Sequence, residues 1–462
     1  MNDMGAKRPP REAAPPPLEY VSPLSSFFKQ DAVAAGLLLG AALLALGLAN
    51  SSYSSDYHHI LETEIHLGIG EQDSVMTLHH LINDGLMAIF FFLVGLEIKR
   101  EILVGELATF RKALLPALAA LGGMVVPALM FMVFNYGQET SIGWGIPMAT
   151  DIAFAMGVMA LLGKRVPPSL GVFLVALAIV DDLGAVAVIA IFYSEGLDVV
   201  PLWIGGSLIA VSYGLSRLGV RSAIPYVLIF IVVWLAFLQS GVHATIAGVL
   251  LAFTIPSDAR YETPHFFGRM SVLLYRFSDA EDYKDPLMVN ARQQQLVRSI
   301  LTECHHVEAP LQRIEHSLHP ASVFIIMPIF AFANAGTHIE FGEVGHMLTE
   351  RVALGVMAGL LLGKLAGVFI ATYISVKLKI TEMPSQANWG HIAGVGLLAG
   401  IGFTMSLFIN ELAFSALPES EPFVTEAKLG VFLASIVAGV AGAVVLRLAG
   451  KGKTFEAGKS AH

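Results

Sequence analysis

Apolar runs of about twenty residues recur twelve times along this chain, divided by short polar stretches. A helix needs about 20 mostly apolar residues to cross a bilayer. The pattern therefore predicts spans over 32–50, 79–98, 112–134, 141–163, 168–193, 200–217, 223–239, 241–256, 320–337, 352–376, 390–412 and 426–448. Only a tight turn near Ser240-Gly241 divides the seventh from the eighth. The fold class expected is an all-α polytopic membrane protein with twelve transmembrane helices.

The loops carry an independent signal, because Lys and Arg collect on the cytoplasmic side of a membrane protein. The loops alternate: one has Lys99, Arg100, Arg111 and Lys112, the next none, the next Lys164 and Arg165, and so on. Of 28 basic residues, 25 fall on one side, Arg351 and Lys428 fall on the other, and Lys364 lies inside a span. This pattern predicts an even number of spans with both termini cytosolic.

Composition agrees, with 55% hydrophobic and 14% charged residues against about 25% charged in an average soluble protein. The division expected is a disordered, proline-rich tail over 1–31, a transmembrane domain over 32–449 and a cytosolic tail over 450–462. A cytosolic loop over 257–319 interrupts the domain, and its Leu296, Ile300 and Val307 allow a short amphipathic helix. The net charge of −9 is spread over loops and tails, so it does not point to nucleic acid or another charged partner. The single cysteine, Cys304, excludes an internal disulfide. GKGKT at 450–454 lacks the spacing of a phosphate-binding loop.

Charges inside the spans are the candidate chemistry. Asp181 and Asp182 stand side by side in the middle of 168–193, which is otherwise uncharged over 26 residues. Each carboxylate at that depth costs roughly 2.5–3.5 kcal/mol on insertion scales, and such residues mark ion or proton paths. Asp151 follows Thr150 in the fourth span, and Lys364 is centred in the tenth. Lys364 is too far from either end of its span to reach the interface. Asp84 and Glu97 lie in the second span, Glu97 near its cytosolic end. Consecutive helix residues point about 100° apart, so the two aspartates cannot both face one narrow cavity. One should face water and the other a neighbouring helix, where Lys364 is the only intramembrane cation to pair with.

Glycine and proline punctuate two spans: Gly143, Gly145 and Pro147 in the fourth, and Gly394, Gly396, Gly400 and Gly402 in the eleventh. Packing alone can account for glycines in membrane helices. These two spans, however, are the middle members of the triplets 3–5 and 10–12, which start on opposite sides of the membrane. Interrupted helices at matching places in opposed halves point to an inverted repeat with its site at the midplane. There Asp151 would offset helix N-termini and Lys364 helix C-termini.

Eight stretches carry a family resemblance: INDGLMAIFFFLVGLEIKRE (82–101), ATDIAFAMGV (149–158), ALAIVDDLGAVAVIAIFY (176–193), GVHATIAGV (241–249), IEHSLHPAS (314–322), MPIFAFANAG (327–336), LLLGKLAG (360–367) and GIGFTMSLFI (400–409). In this order they strongly resemble the NhaA-type sodium/proton antiporters. The resemblance implies spans 4 and 11 unwound and crossing at the centre. It implies Asp182 as the primary Na⁺ ligand, Asp181 as its partner, and a Lys364–Asp181 pair. Thr150 and Asp151 would belong to the break in span 4, and Asp84 to the outward side of the route. Positions associated with pH response match Glu97, Arg100, Glu315, His316, His319 and His243. A homodimer through residues 51–75 is a further implication. The chain departs from the family in its longer loop over roughly 258–312 and its extended N-terminal tail.

The function expected is electrogenic, pH-regulated Na⁺(Li⁺)/H⁺ antiport in a bacterial inner membrane, with no cofactor and no enzymatic activity. Na⁺, Li⁺ and H⁺ would be the transported species and the lipid bilayer the surroundings. The alternative is a cation-coupled symporter of related inverted-repeat fold, which would need a polar organic-substrate pocket. An intramembrane aspartyl protease needs two aspartates on facing helices, which an adjacent pair cannot supply. A prenyltransferase needs repeated Asp-rich motifs, and these are absent from the sequence.

Overall fold

The computed structural model describes residues 23–69, 72–194, 196–258, 263–278, 291–339, 342, 344–415, 417 and 420–451. Most of both expected tails, residues 1–22 and 452–462, and parts of the long loop, including Arg260, lie outside the described residues. Among the described residues nine helices are long and apolar enough to cross a membrane. A tenth pass would join Trp389–Ala399 to Phe403–Phe414, which meet at 45°.

The two remaining predicted spans fall short. Ala223–Gln239 has 17 residues and Ala244–Ala252 has nine. The chain turns through Ser240 and Gly241, the latter with φ +76°, and turns again after Phe253 toward Pro256. By length alone the count of twelve is therefore not reached. The first helix, Pro23–Ala49, begins ahead of the apolar run.

Three features add to the predicted spans, and of these only an amphipathic helix in the long loop was anticipated. An antiparallel hairpin pairs Glu64–Ile69 with Gln72–Thr77, so the chain is nearly but not wholly helical. The long loop holds two helices: Ala291–Val307 is the expected one, carrying Leu296, Ile300 and Val307, and Thr263–Ser278 is additional. The third is a set of π-helical turns at Ile82–Leu86, Ser322–Ile326 and Gly359–Gly363. Such turns are inserted in helices and recur at functional sites. One contains Asp84 and another immediately precedes Lys364.

One extended apolar core joins most of the spans. The closest packing is between Phe110–Asn135 and Lys364–Lys377, where Gly122 and Gly367 face each other backbone to backbone. A Cβ at either position would strike the other's carbonyl oxygen. This close approach draws the lysine helix inward, so that the Lys364 side chain passes Gly123 and stays within the core.

Candidate functional site

Two helix interruptions meet at the centre. Glu139–Met148 is a run of 3-10 helix, Ala149–Asp151 are non-helical, and Ile152 starts a new α-helix. On the other side, Trp389–Ala399 ends at Gly400 and helix resumes at Phe403. Each break strands backbone donors and acceptors, and these must be satisfied inside the protein at membrane depth.

The breaks satisfy each other. The Asp151 amide donates to the Ile401 carbonyl at 2.7 Å. Thr150 Oγ1 lies 2.8 Å from the Ala399 carbonyl. The Asp151 carboxylate accepts from the Phe154 amide at 3.0 Å, capping its own helix. Its other oxygen accepts from the Thr404 amide at 3.2 Å and the Thr404 hydroxyl at 2.5 Å, capping the opposite helix. One carboxylate thus serves two helix N-termini. The Ile401 carbonyl takes the Asp151 amide, and the Ala399 carbonyl shares the one Thr150 hydroxyl hydrogen with Asp181 Oδ2; Lys364 donates to neither carbonyl.

Lys364 instead donates to Asp181 Oδ2, and Thr150 Oγ1 lies 2.7 Å from the same oxygen. Thr150, Asp151 and Lys364 are 0% exposed, and Asp181 and Asp182 are 1% exposed. The neighbouring aspartates differ sharply in partners. Asp181 has a cation and a hydroxyl on one oxygen and no partner on the other, whereas among the described residues both oxygens of Asp182 are buried with no hydrogen-bond partner. Leaving such a charge uncompensated is costly.

Asp182 borders a cavity of about 130 Å³ also lined by Thr150 and Asp151; Asp181 and Lys364 do not line it. At its other end stand Glu97, Arg100, Glu315 and His319, on the face rich in basic residues. Arg100 donates to Glu315 and, at 3.0 Å, to Glu101, so this mouth is crossed by an ion-pair network. His316 is exposed beside it.

Two further candidates lie elsewhere. Asp84 is 3.0 Å from the His80 ring, and its carbonyl accepts from the Trp234 indole at 3.1 Å. His243 sits 2.5 Å from the Tyr193 carbonyl through Nε2. Neither lines the cavity.

Sequence reasoning did not pick out Thr404, although it lies in GIGFTMSLFI, or the carbonyls of Ala399 and Ile401. It also missed the pair between Lys428 and Glu411, 2.7 Å apart and largely buried. The available signal was Glu411 near the end of the predicted span 390–412 and an unexplained lysine on the face poor in basic residues.

Comparison with known proteins agrees in kind. The family model described as Na⁺/H⁺ antiporter 1 matches residues 25–446. The chain is 45% identical to Na(+)/H(+) antiporter NhaA 1 of Saccharophagus degradans, over 94% of this chain and 93% of that protein. It is 47% identical to Na(+)/H(+) antiporter NhaA 2 of Syntrophotalea carbinolica, over 92% and 96%. It is 44% identical to Na(+)/H(+) antiporter NhaA of Helicobacter pylori, over 92% and 94%.

Proposed function

This chain belongs to the Na⁺/H⁺ antiporter 1 family, and we propose that it exports Na⁺ or Li⁺ in exchange for protons by letting the two compete for Asp182. Membership makes it a multi-pass bacterial membrane protein and a secondary transporter, not an enzyme. The observation that carries the competition is the Asp182 carboxylate, buried at a cavity wall with neither oxygen hydrogen-bonded among the described residues. Such a group needs one positive charge beside it. A proton or a hard cation can supply that charge, and the arrival of one displaces the other.

Asp181 is the coupled partner. Na⁺ at Asp182 weakens the hold of Lys364 on Asp181, and the crossing of the two breaks then rearranges to expose the site to the other side. The architecture proposed is twelve helices in inverted repeats. The fourth and eleventh are discontinuous, and Ala223–Gln239 and Ala244–Ala252 serve as short members. Glu97, Arg100, Glu315, His316 and His319 at the cavity mouth tune access with pH, and His243 contributes from outside it. Asp84 serves the outward side of the route. Both termini are cytosolic in an inner membrane, and a second copy joins through residues 51–75, which hold most of the hairpin.

If two protons enter for each Na⁺ that leaves, one net charge moves inward, and an inside-negative potential assists by about 2.3 kcal/mol per 100 mV. The test is proton flux in everted membrane vesicles on addition of Na⁺, Li⁺ or K⁺ across alkaline and neutral pH. Flux with Na⁺ and Li⁺ but not K⁺, rising with pH, is the expected result. Flux with none of the three would overturn the reading.

A further inference from the structure

A second, larger cavity opens on the opposite, basic-poor face. It measures about 490 Å³ and lies among Tyr57–Glu62, Thr77, His79, Ala333–His338 and the start of the last helix. Its rim carries Glu62, His338 and Glu421, and its wall carries Glu411, Lys428 and His79. Only 10% of the Lys428 side chain and 22% of the Glu411 side chain are exposed. His79 is held at 3.2 Å from Asn334 Oδ1, and Asn334 donates to Asn83 Oδ1 at 2.7 Å. The proposed exchange at Asp182 makes no use of any of these groups.

Their position links them to it. Glu411 lies on the same helix as Thr404, seven residues on, which is about 10 Å along the axis. Thr404 holds Asp151 at the crossing. Between them Phe408 is buried against Phe91 and Phe330, with ring centroids 5.7 and 6.0 Å away. The cavity therefore ends directly outside the apolar layer that closes the site from this face. A lysine in that wall repels any cation entering from outside.

We propose that Glu411 is a positioning residue of the outward vestibule: it neutralises Lys428, so that Na⁺ can occupy the cavity on the basic-poor face on its way to or from Asp182. The inference rests on the exchange proposed above. Two unit charges about 10 Å apart at an effective dielectric constant near 20 interact strongly enough to change local occupancy roughly tenfold. Removing one partner of the pair exposes that field; removing both abolishes it.

The experiment measures radioactive sodium flux in right-side-out and everted vesicles, giving the apparent KM for Na⁺ at each face separately. Glu411→Gln should raise KM at the basic-poor face roughly tenfold and leave the other face within about twofold. Lys428→Met should shift the same KM downward, and the double variant should return it to near the wild-type value. Equal shifts at both faces, or a double variant as impaired as Glu411→Gln, would mean a purely structural pair and overturn the proposal. If Glu411→Gln does not fold, Lys428→Met decides: an unchanged outward KM overturns it. Failure of the exchange reading itself is seen separately, as wild-type vesicles with no sodium-dependent flux at either face.

Discussion

Asp181 and Asp182 are adjacent in sequence and alike in burial, yet only Asp182 borders the cavity, while Asp181 is turned to Lys364 and Thr150. The 100° step of the helix produces this division. It places a partnered carboxylate and an unpartnered one in successive positions. The unpartnered one is where the proposed exchange places its ion.

The Lys364–Asp181 pair should be felt first as stability. Removing one member of a buried pair leaves an uncompensated charge, at a cost of about 3–5 kcal/mol. Lys364→Ala should lower the thermal unfolding midpoint of the purified protein in detergent. Adding Asp181→Asn should recover much of the loss, because the remaining charge is then gone. A double variant no more stable than Lys364→Ala would argue against the pairing as the cause.

Thr404 should matter through Asp151 alone. Thr404→Val removes the hydroxyl that donates to the carboxylate and keeps the shape. Hydrogen bonds to charged groups are worth about 1.5–3 kcal/mol, so thermal stability should fall and sodium-dependent proton flux should slow. Thr404→Ser should retain both. Equal behaviour of the valine and serine variants would show that the hydroxyl does not hold the crossing.

Tyr57 gives a pH-dependent check away from the membrane core. Its hydroxyl donates to the Phe332 carbonyl at 2.6 Å, and burial pushes its pKa up to about 12. The folded state thus holds this proton more tightly than the unfolded chain does. Its contribution to stability is fully present below about pH 10 and is lost as pH rises toward about 12. Tyr57→Phe should lower stability at neutral pH and flatten the decline between those values in thermal melts. A melt curve with the wild-type alkaline slope would show that Tyr57 does not titrate there.

The depth and kind of the central charges were legible in the sequence, because Asp151, Asp181, Asp182 and Lys364 stand far from any polar run. The separation of the two aspartates followed from helix geometry alone. What the sequence did not reveal depends on contacts between distant segments. Thr404 meets Asp151 across 253 positions, and a threonine in an apolar helix carries no local mark of its partner. Glu411 and Lys428 each stand near a span end, where a charge ordinarily reaches water; only the packing of two helices makes them a buried pair. The hairpin at Glu64–Thr77 was missed because its strands are six residues each in a stretch read as a loop. The short helix Ala244–Ala252 shows the converse, since an apolar run long enough to span contains a turn that ends the helix early.

Proton release on cation binding tests the central claim most directly. Na⁺ added to the purified protein in unbuffered detergent solution at alkaline pH should displace the proton from Asp182 and acidify the medium, saturably. The Asp182→Asn variant should release none while keeping a cooperative unfolding transition. Saturable release of the same size from that variant would contradict competition at Asp182.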